Sequence, residues 1–547
     1  MFKRNNELKL IYILVFALFA IFLLYPLVLV LIRAIQTNGV ISFDNIIKVV
    51  SKERFLTSLQ NSFLIASIAA LLSTSLAFFL AYTVHFTAVP KAFKKLINVI
   101  ATMPMLMPTI TYGFAIIYTF GKQGVFTKLF GFQPFNLYGF NGLLIGYLIY
   151  TLPVAFILIK NTMTYIDKKQ FVVSILMGDS PLRRFFHTIF RPLVYTLVIA
   201  FIQTFFLSFT DFGIPAAIGG QFEVIASTLY NQMLGSIPNF HNGAVISLVM
   251  LVPSILAVLV VRRIEKMNVR YENISEETLP NVKSKNWICG IGASLIMLGI
   301  VSVFAVIFIL PFVKEWPYNI GFSLDHVKET FQSANLLDVV KNSFIVAVLT
   351  AICGTVVSYV AAIISARGKM PRFITGSIDF ISTLTNALPG MVIGIGFMFA
   401  FKGTNIQNTY LILIICNVVH FFSTPYVMIK NAFMKMNLSF ETTGRLLGDS
   451  WFGTLRKVMI PCSISTVFEM FSYYFINSMV TISAIIFLVG AETGVITTKI
   501  KELQHFAKFT DIFVLSLLIF VANIMMKSLM NHLTKKESEK RYYVEVK

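Results

Sequence analysis

The sequence predicts an all-α protein that crosses a membrane about twelve times, as two homologous halves of six helices each. Three observations carry this. The 547 residues are 56% hydrophobic and only 13% charged, with 54 Phe and a mean hydropathy of +0.78. A soluble chain of this length carries nearer a quarter charged residues. Apolar runs of 18 or more residues recur along the chain, each enough to cross about 30 Å of hydrocarbon as a helix. Finally, Ser174-Ile-Leu-Met-Gly-Asp-Ser180 and Gly444-Arg-Leu-Leu-Gly-Asp-Ser450 are nearly one polar loop written twice, 270 positions apart. Backbone polar groups in lipid must be satisfied internally, and the alternation of a membrane barrel is absent, so the runs read as helices.

The first half predicts spans near 10–34, 62–86, 97–120, 142–163, 190–211 and 242–263. The second predicts 286–313, 343–366, 373–401, 409–430, 462–490 and 511–531. Lys and Arg in short loops mark the cytoplasmic side. They gather before the first span (Lys3, Arg4, Lys9) and after the second, fourth, sixth, eighth, tenth and twelfth (for example Lys94, Arg183, Arg262, Arg372, Lys435 and Lys527). The expected location is a bacterial cytoplasmic membrane, multi-pass, with both termini in the cytoplasm.

The net charge of +20 sits at those loop ends, where anionic lipid and the insertion rule account for it. No basic stripe with interleaved aromatics suggests nucleic acid. The apolar part of the N-terminal run exceeds 20 residues without a clear small-x-small cleavage site, so it reads as an uncleaved first span. Cys289, Cys353, Cys416 and Cys462 lie in or at spans without CxxC spacing. They suggest neither a disulfide framework nor a metal site.

The halves match beyond the loops. Asn61-Ser62-Phe63 aligns with Asn342-Ser343-Phe344 at an offset of 281, which also pairs Pro108 with Pro389. Later the offset is 270, pairing Lys160-Asn161 with Lys430-Asn431 and Gly178 with Gly448. An even number of spans per copy gives both the same orientation, hence a pseudo-twofold along the membrane normal with a path between them. The expected units are a first repeat 1–264, a cytoplasmic linker 265–285, a second repeat 286–531 and a cytoplasmic tail 532–547. The duplicated loops occupy about 165–192 and 434–461.

Each loop reads as a helix–glycine–helix bracket. Gly178 and Gly448 suit the left-handed backbone that closes one helix. Ser180, or Asp449 and Ser450, then cap the next, and Pro181 fits a first helical turn. The second helices are expected to end near Pro192 and Pro461. Leu176, Phe185, Leu446 and Leu455 are expected to project toward a groove on a soluble partner; a pair of plain interfacial helices is the competing reading.

Glu441-Thr442-Thr443, Gly448 and Val458-Met459-Ile460-Pro461 together resemble the "EAA" loop of ABC-importer permeases. The resemblance covers nearly the whole chain, including Asp211-Phe-Gly-Ile-Pro215 and Thr481-Ile-Ser-Ala-Ile-Ile-Phe487. It looks like the fused two-copy permeases for ferric iron, thiamine and 2-aminoethylphosphonate, and so implies a type I importer-like fold. It implies that Leu176, Gly178, Asp179, Ser180, Glu441, Leu446, Gly448, Asp449 and Ser450 dock two ATP-binding cassette subunits. It further implies an extracytoplasmic solute-binding protein, with ATP and Mg held by the partners and no cofactor on this chain. The first copy departs from the pattern: Val172-Val173-Ser174 stands where E-A-A is expected, and Pro192 is one position late. Glu441 lies one residue further from its glycine than is usual. Any ion pair through Glu441 therefore has no counterpart in the first half.

No G-x-x-x-x-G-K-[ST] loop occurs, so nucleotide hydrolysis is not expected here, and no catalytic constellation is convincing. His420 falls within a span, where a hydrogen bond to a neighbouring helix is the favoured role. Intramembrane polar groups suggest the path: Asp211, Thr383, Asn386, Tyr474, Asn477, Ser478 and Thr481. Tyr474, Asn477, Ser478 and Thr481 share one helical face, although helix–helix hydrogen bonds would explain it nearly as well. Asp379 and Glu469 are placed near cytoplasmic ends, where snorkelling is the alternative. Pro108 and Pro389 are positioned to break the third and ninth helices. The expected function is the permease of an ATP-driven importer, leaning to 2-aminoethylphosphonate, with ferric iron and thiamine as alternatives. The competing class is an ion- or proton-coupled carrier, which would want coupling charges near midplane and no brackets.

Overall fold

The computed structural model describes residues 2–37, 40–265, 282–332, 334–368, 370–437 and 439–545. Among these, nine helices are long and apolar enough to cross a membrane, and three further bent pairs bring the count to twelve when each pair is taken as one span. In chain order the twelve are Leu8–Ile35, Glu53–Phe86, Lys91–Leu106 with Thr109–Phe130, Phe140–Met163, Pro181–Thr210, Phe240–Ile264, Lys283–Phe312, Leu336–Arg367, Arg372–Ala387 with Gly390–Ala400, Tyr410–His420 with Ser423–Lys435, Trp451–Val480 and Phe509–Glu537. Most of the expected linker, 266–281, lies outside the described residues. Its last residues already belong to the helix from Lys283. The expected tail continues the final helix, Phe509–Glu545, without a break.

The breaks follow from proline chemistry. The third and ninth spans bend by 112° and 107°, and Pro108 and Pro389 stand in extended backbone (ψ 142° and 140°) just before the second pieces. Proline has no N–H and pushes the residue before it out of the helical region. The tenth span bends by 53° between His420 and Ser423, a break the sequence reading lacks. The eleventh span ends earlier than expected: its helix stops at Val480, and a 3-10 turn, Ile485–Phe487, follows.

Pro192 and Pro461 do not end the bracket helices, as the sequence reading had them do. Each sits two residues past a π-helical turn, Phe186–Phe190 or Leu455–Met459, inside one continuous helix. Pro26 follows the π turn Ala20–Leu24 in the same way. The wider turn absorbs the hydrogen bond that proline cannot make.

Each half clasps the other with its first helix. Phe19 and Phe22 pack on Phe422 and Phe401 of the second half. In return Phe304 of the second half packs on Tyr112, and the Phe79 ring is so close to Gly292 that an added Cβ would come within 2.6 Å of it. The last helix crosses over too: Ser516 hydrogen-bonds Thr111 at 2.9 Å, and Asn523 donates to the Leu106 carbonyl at 2.9 Å.

The repeated Asn-Ser-Phe has a structural task. The Ser62 and Ser343 hydroxyl oxygens accept the N–H of Ile225 and of Ile496, both at 2.7 Å. Asn61 and Asn342 donate to the carbonyls just before those helix starts. These caps fix two short helices, Ile225–Leu234 and Ile496–His505, at the end of the bundle opposite the brackets.

Candidate functional site: two brackets and a cavity between the halves

In the first bracket, helix Lys168–Leu176 stops at Gly178, whose φ is +76°. Asp179 N–H closes the turn onto the Ser174 carbonyl at 3.1 Å. The Ser180 oxygen then caps the next helix by accepting from Arg183 N–H. The second bracket repeats this: Gly448 has φ +79°, Asp449 N–H reaches the Gly444 carbonyl at 2.9 Å, and Ser450 accepts from Gly453 N–H at 3.0 Å. Asp179 is braced by the Ser174 hydroxyl and Arg183, Asp449 by Lys457.

Leu176 and Leu446 are 81% and 82% exposed, an apolar tip on each bracket. Phe185 and Leu455 are corrected: both turn inward onto the helices, Phe185 against Phe78 and Tyr82. Their places at the tips are taken by Leu182 and Leu447, also exposed. A five-residue helix turns by 100° per residue, so spacing from the glycine alone does not say which side faces out.

The brackets are fastened by different chemistry. Glu441 is buried beside Arg367, at the end of Leu336–Arg367, with 3.8 Å between Oε1 and Nη1. The same guanidinium donates to the carbonyls of Phe433 and Met436. In the first half the equivalent positions are Phe171 and Phe86, with ring centroids 6.4 Å apart. The Arg184 and Lys285 cations lie over Phe171, at 5.5 and 5.6 Å.

Between the halves lies a cavity of about 240 Å³. The first half contributes Tyr150, Leu207 and Asp211; the second contributes Asn386, His420, Ser423, Thr424, Tyr473 and Asn477 among others. Three chain breaks meet there: the helix end at Asp211, the Pro389 bend and the bend after His420.

Of the seven expected path residues, the cavity gathers Asp211, Asn386 and Asn477. The other four do not line it. Thr383 donates to the Asp379 carbonyl one turn back. The Tyr474 hydroxyl bonds Ser358 at 2.7 Å, and Ser478 accepts from Asn417 at 2.9 Å, both turned into the second half's own core. Thr481 lies past the helix end, its carbonyl taken by Thr497. The face Tyr474–Ser478 is therefore glue between helices, and the neighbouring Tyr473 faces the cavity instead. Asp379 is paired with Lys430 and Tyr426, and Glu469 is exposed. His420, placed as a helix–helix bridge by sequence, lines the cavity with a buried Nδ1 that has no hydrogen-bond partner.

Next along the chain from Asp211, the halves touch again. Lys501 and Gln504 of Ile496–His505 both donate to the Ala216 carbonyl, at 3.4 and 3.0 Å. The Lys501 ammonium stands 5.8 Å from the Tyr230 ring, and burial pushes its pKa down to about 8.

A family model described as the binding-protein-dependent transport system inner membrane component matches residues 76–270 and again 354–538. A putative ferric transport system permease protein of Haemophilus influenzae is 24% identical over 503 residues, 88% of this chain and 78% of the relative. A ferric transport system permease protein of Actinobacillus pleuropneumoniae is 24% identical over 506 residues, 88% and 71% of the two chains. A putative 2-aminoethylphosphonate transport system permease protein of Salmonella typhi is 25% identical over 209 residues, covering 36% of this chain and 70% of the relative.

Proposed function

The chain belongs to the family of binding-protein-dependent transport system inner membrane components, and on that premise we propose that it imports ferric iron, driven by two ATPase subunits docked on its brackets. It is a fused two-copy permease of an ABC importer, a multi-pass inner-membrane subunit whose ATP hydrolysis resides on partner chains. Beyond that, one extracytoplasmic binding protein delivers the solute, each bracket seats one ATPase copy, and both termini face the cytoplasm. The observation that carries the ATPase docking is the pair of glycine-cornered brackets, each offering an exposed leucine pair from one end of the bundle. Two such handles on one end of a pseudo-twofold body suit a pair of motors.

Ferric iron is preferred to 2-aminoethylphosphonate because the two relatives aligned over 88% of the chain carry a ferric name, against 36% for the phosphonate relative. Reconstitution of the permease with its ATPases and binding protein in liposomes tests this. ATP-dependent accumulation of labelled iron is expected. Accumulation of labelled 2-aminoethylphosphonate instead would transfer the substrate, and uptake driven by an ion gradient without ATP would overturn the importer reading.

A further inference from the structure

We propose that the cavity between the halves is a halfway binding site for a cationic cargo, with the Asp211 carboxylate as its counter-charge and His420 offering a neutral imidazole lone pair. The proposal rests on the importer reading. Position comes first. Tyr150 and His420 are repeat-equivalent, at the offset of 270, and so are Leu207 and Asn477. Both members of each pair line this one cavity. Two equivalent pairs can share a wall only on the pseudo-twofold axis, where anything passing between the halves must cross. Discontinuous helices at a repeat interface are also where carriers place their solutes, because broken backbone offers polar groups that an intact helix has already used. Three such breaks converge here.

Charge comes second. Asp211 is 8% exposed, and neither Lys nor Arg is among the lining residues. The carboxylate is held by neutral donors: the Ile214 N–H at 2.9 Å, the Gly213 N–H and the Thr109 hydroxyl. Such bonds fix its direction without cancelling its charge, and a buried carboxylate without a counter-charge is costly. A passing cation supplies the missing charge. An anion-bearing solute meets repulsion and no fixed cation.

The buried, unpartnered Nδ1 of His420 points the same way, since an orphaned buried nitrogen loses its water without replacement. Among the described residues no three of His, Cys, Asp and Glu come together as a metal cage. The cargo is therefore held by charge and by the neutral walls of Tyr150, Tyr473 and Asn477, loosely enough to be released.

The test uses the full permease–ATPase complex, with Thr424→Cys as a reporter on the cavity wall and Cys353 and Cys462 replaced by Ser. Modification of this thiol by a small methanethiosulfonate is timed with ferric iron delivered by the binding protein, thiamine or 2-aminoethylphosphonate present. Protection by either cationic probe is expected, and Asp211→Asn, which keeps an oxygen for the Ile214 N–H, should raise the concentration needed by about tenfold or more. His420→Leu should weaken protection as well. Protection by the phosphonate alone, by none of the three, or undiminished in Asp211→Asn would overturn the site. None of those results bears on ATP-driven uptake by the unmodified complex, which judges the importer reading separately.

Discussion

Arg367 and Glu441 form a buried ion pair, 3.8 Å between Nη1 and Oε1, at the place where the first half packs Phe86 against Phe171. One protein thus fastens two equivalent brackets with two solutions, a charge pair and an aromatic pair. Removing one member of a buried pair leaves the other uncompensated, at roughly 3–5 kcal/mol. Glu441→Ala is expected to lower the melting temperature and to weaken ATPase capture. The double variant Arg367→Phe with Glu441→Phe, which copies the first half, should lie closer to wild type than either single change. Singles and double that simply add would show the two residues to be independent.

The brackets should respond to their corner glycines. An added Cβ at Gly178 or Gly448 would meet no atom within 4 Å, so space is not the obstacle. The left-handed backbone is, at about 1–2 kcal/mol for an ordinary residue and more for a β-branched one. Gly178→Val and Gly448→Val are expected to insert normally but to recover less ATPase on co-purification, with Gly448→Val the worse. Full recovery and full uptake in both would reduce the brackets to plain interfacial helices.

Asn477→Leu writes into the second half what the first half already has at Leu207. It should leave the assembled complex intact while lowering uptake, because its Nδ2 is spent on the Tyr473 carbonyl of its own helix and joins no other helix. Unchanged uptake would remove Asn477 from the path.

Orientation is checked by thiol labelling in intact cells. A cysteine at Asn319, in the hairpin after the seventh span, should react with an impermeant reagent. One at Ser180 in the first bracket should not. The reverse pattern would invert the topology.

Lys501 gives a pH signature. Its pKa is pushed from the ordinary 10.5 to about 8 by burial. The native state sheds this proton first, so between those values the unfolded state binds more protons, and this group's contribution to stability rises with pH. Lys501→Met is therefore expected to melt above wild type at pH 7, with the difference shrinking toward pH 10. A difference that does not change with pH would show that the ammonium is not the cause.

The brackets were legible in the sequence because a glycine corner and a serine cap are decided within a few residues. The cavity was legible only in part. Asp211, Asn386 and Asn477 could be picked as polar groups inside apolar spans, but the same signal also picked Tyr474 and Ser478, which bond inside one half. Tyr473, Tyr150 and His420 carried no sequence mark that separates a cavity wall from a helix contact, and Phe86 with Phe171 looked like any other apolar residues.

By itself the sequence determined the membrane class, the places of the apolar segments, the duplication and the glycine corners. Each of these depends on local hydropathy or local backbone preference, which a single stretch of chain settles. The tertiary structure decided how each first helix clasps the opposite half, which helical face turns toward the axis, and that Arg367 meets Glu441. Helical spacing fixes only which side chains share a face. The rotation of that face is set by packing against helices hundreds of residues away, as when Phe19 meets Phe422, and no local pattern encodes it.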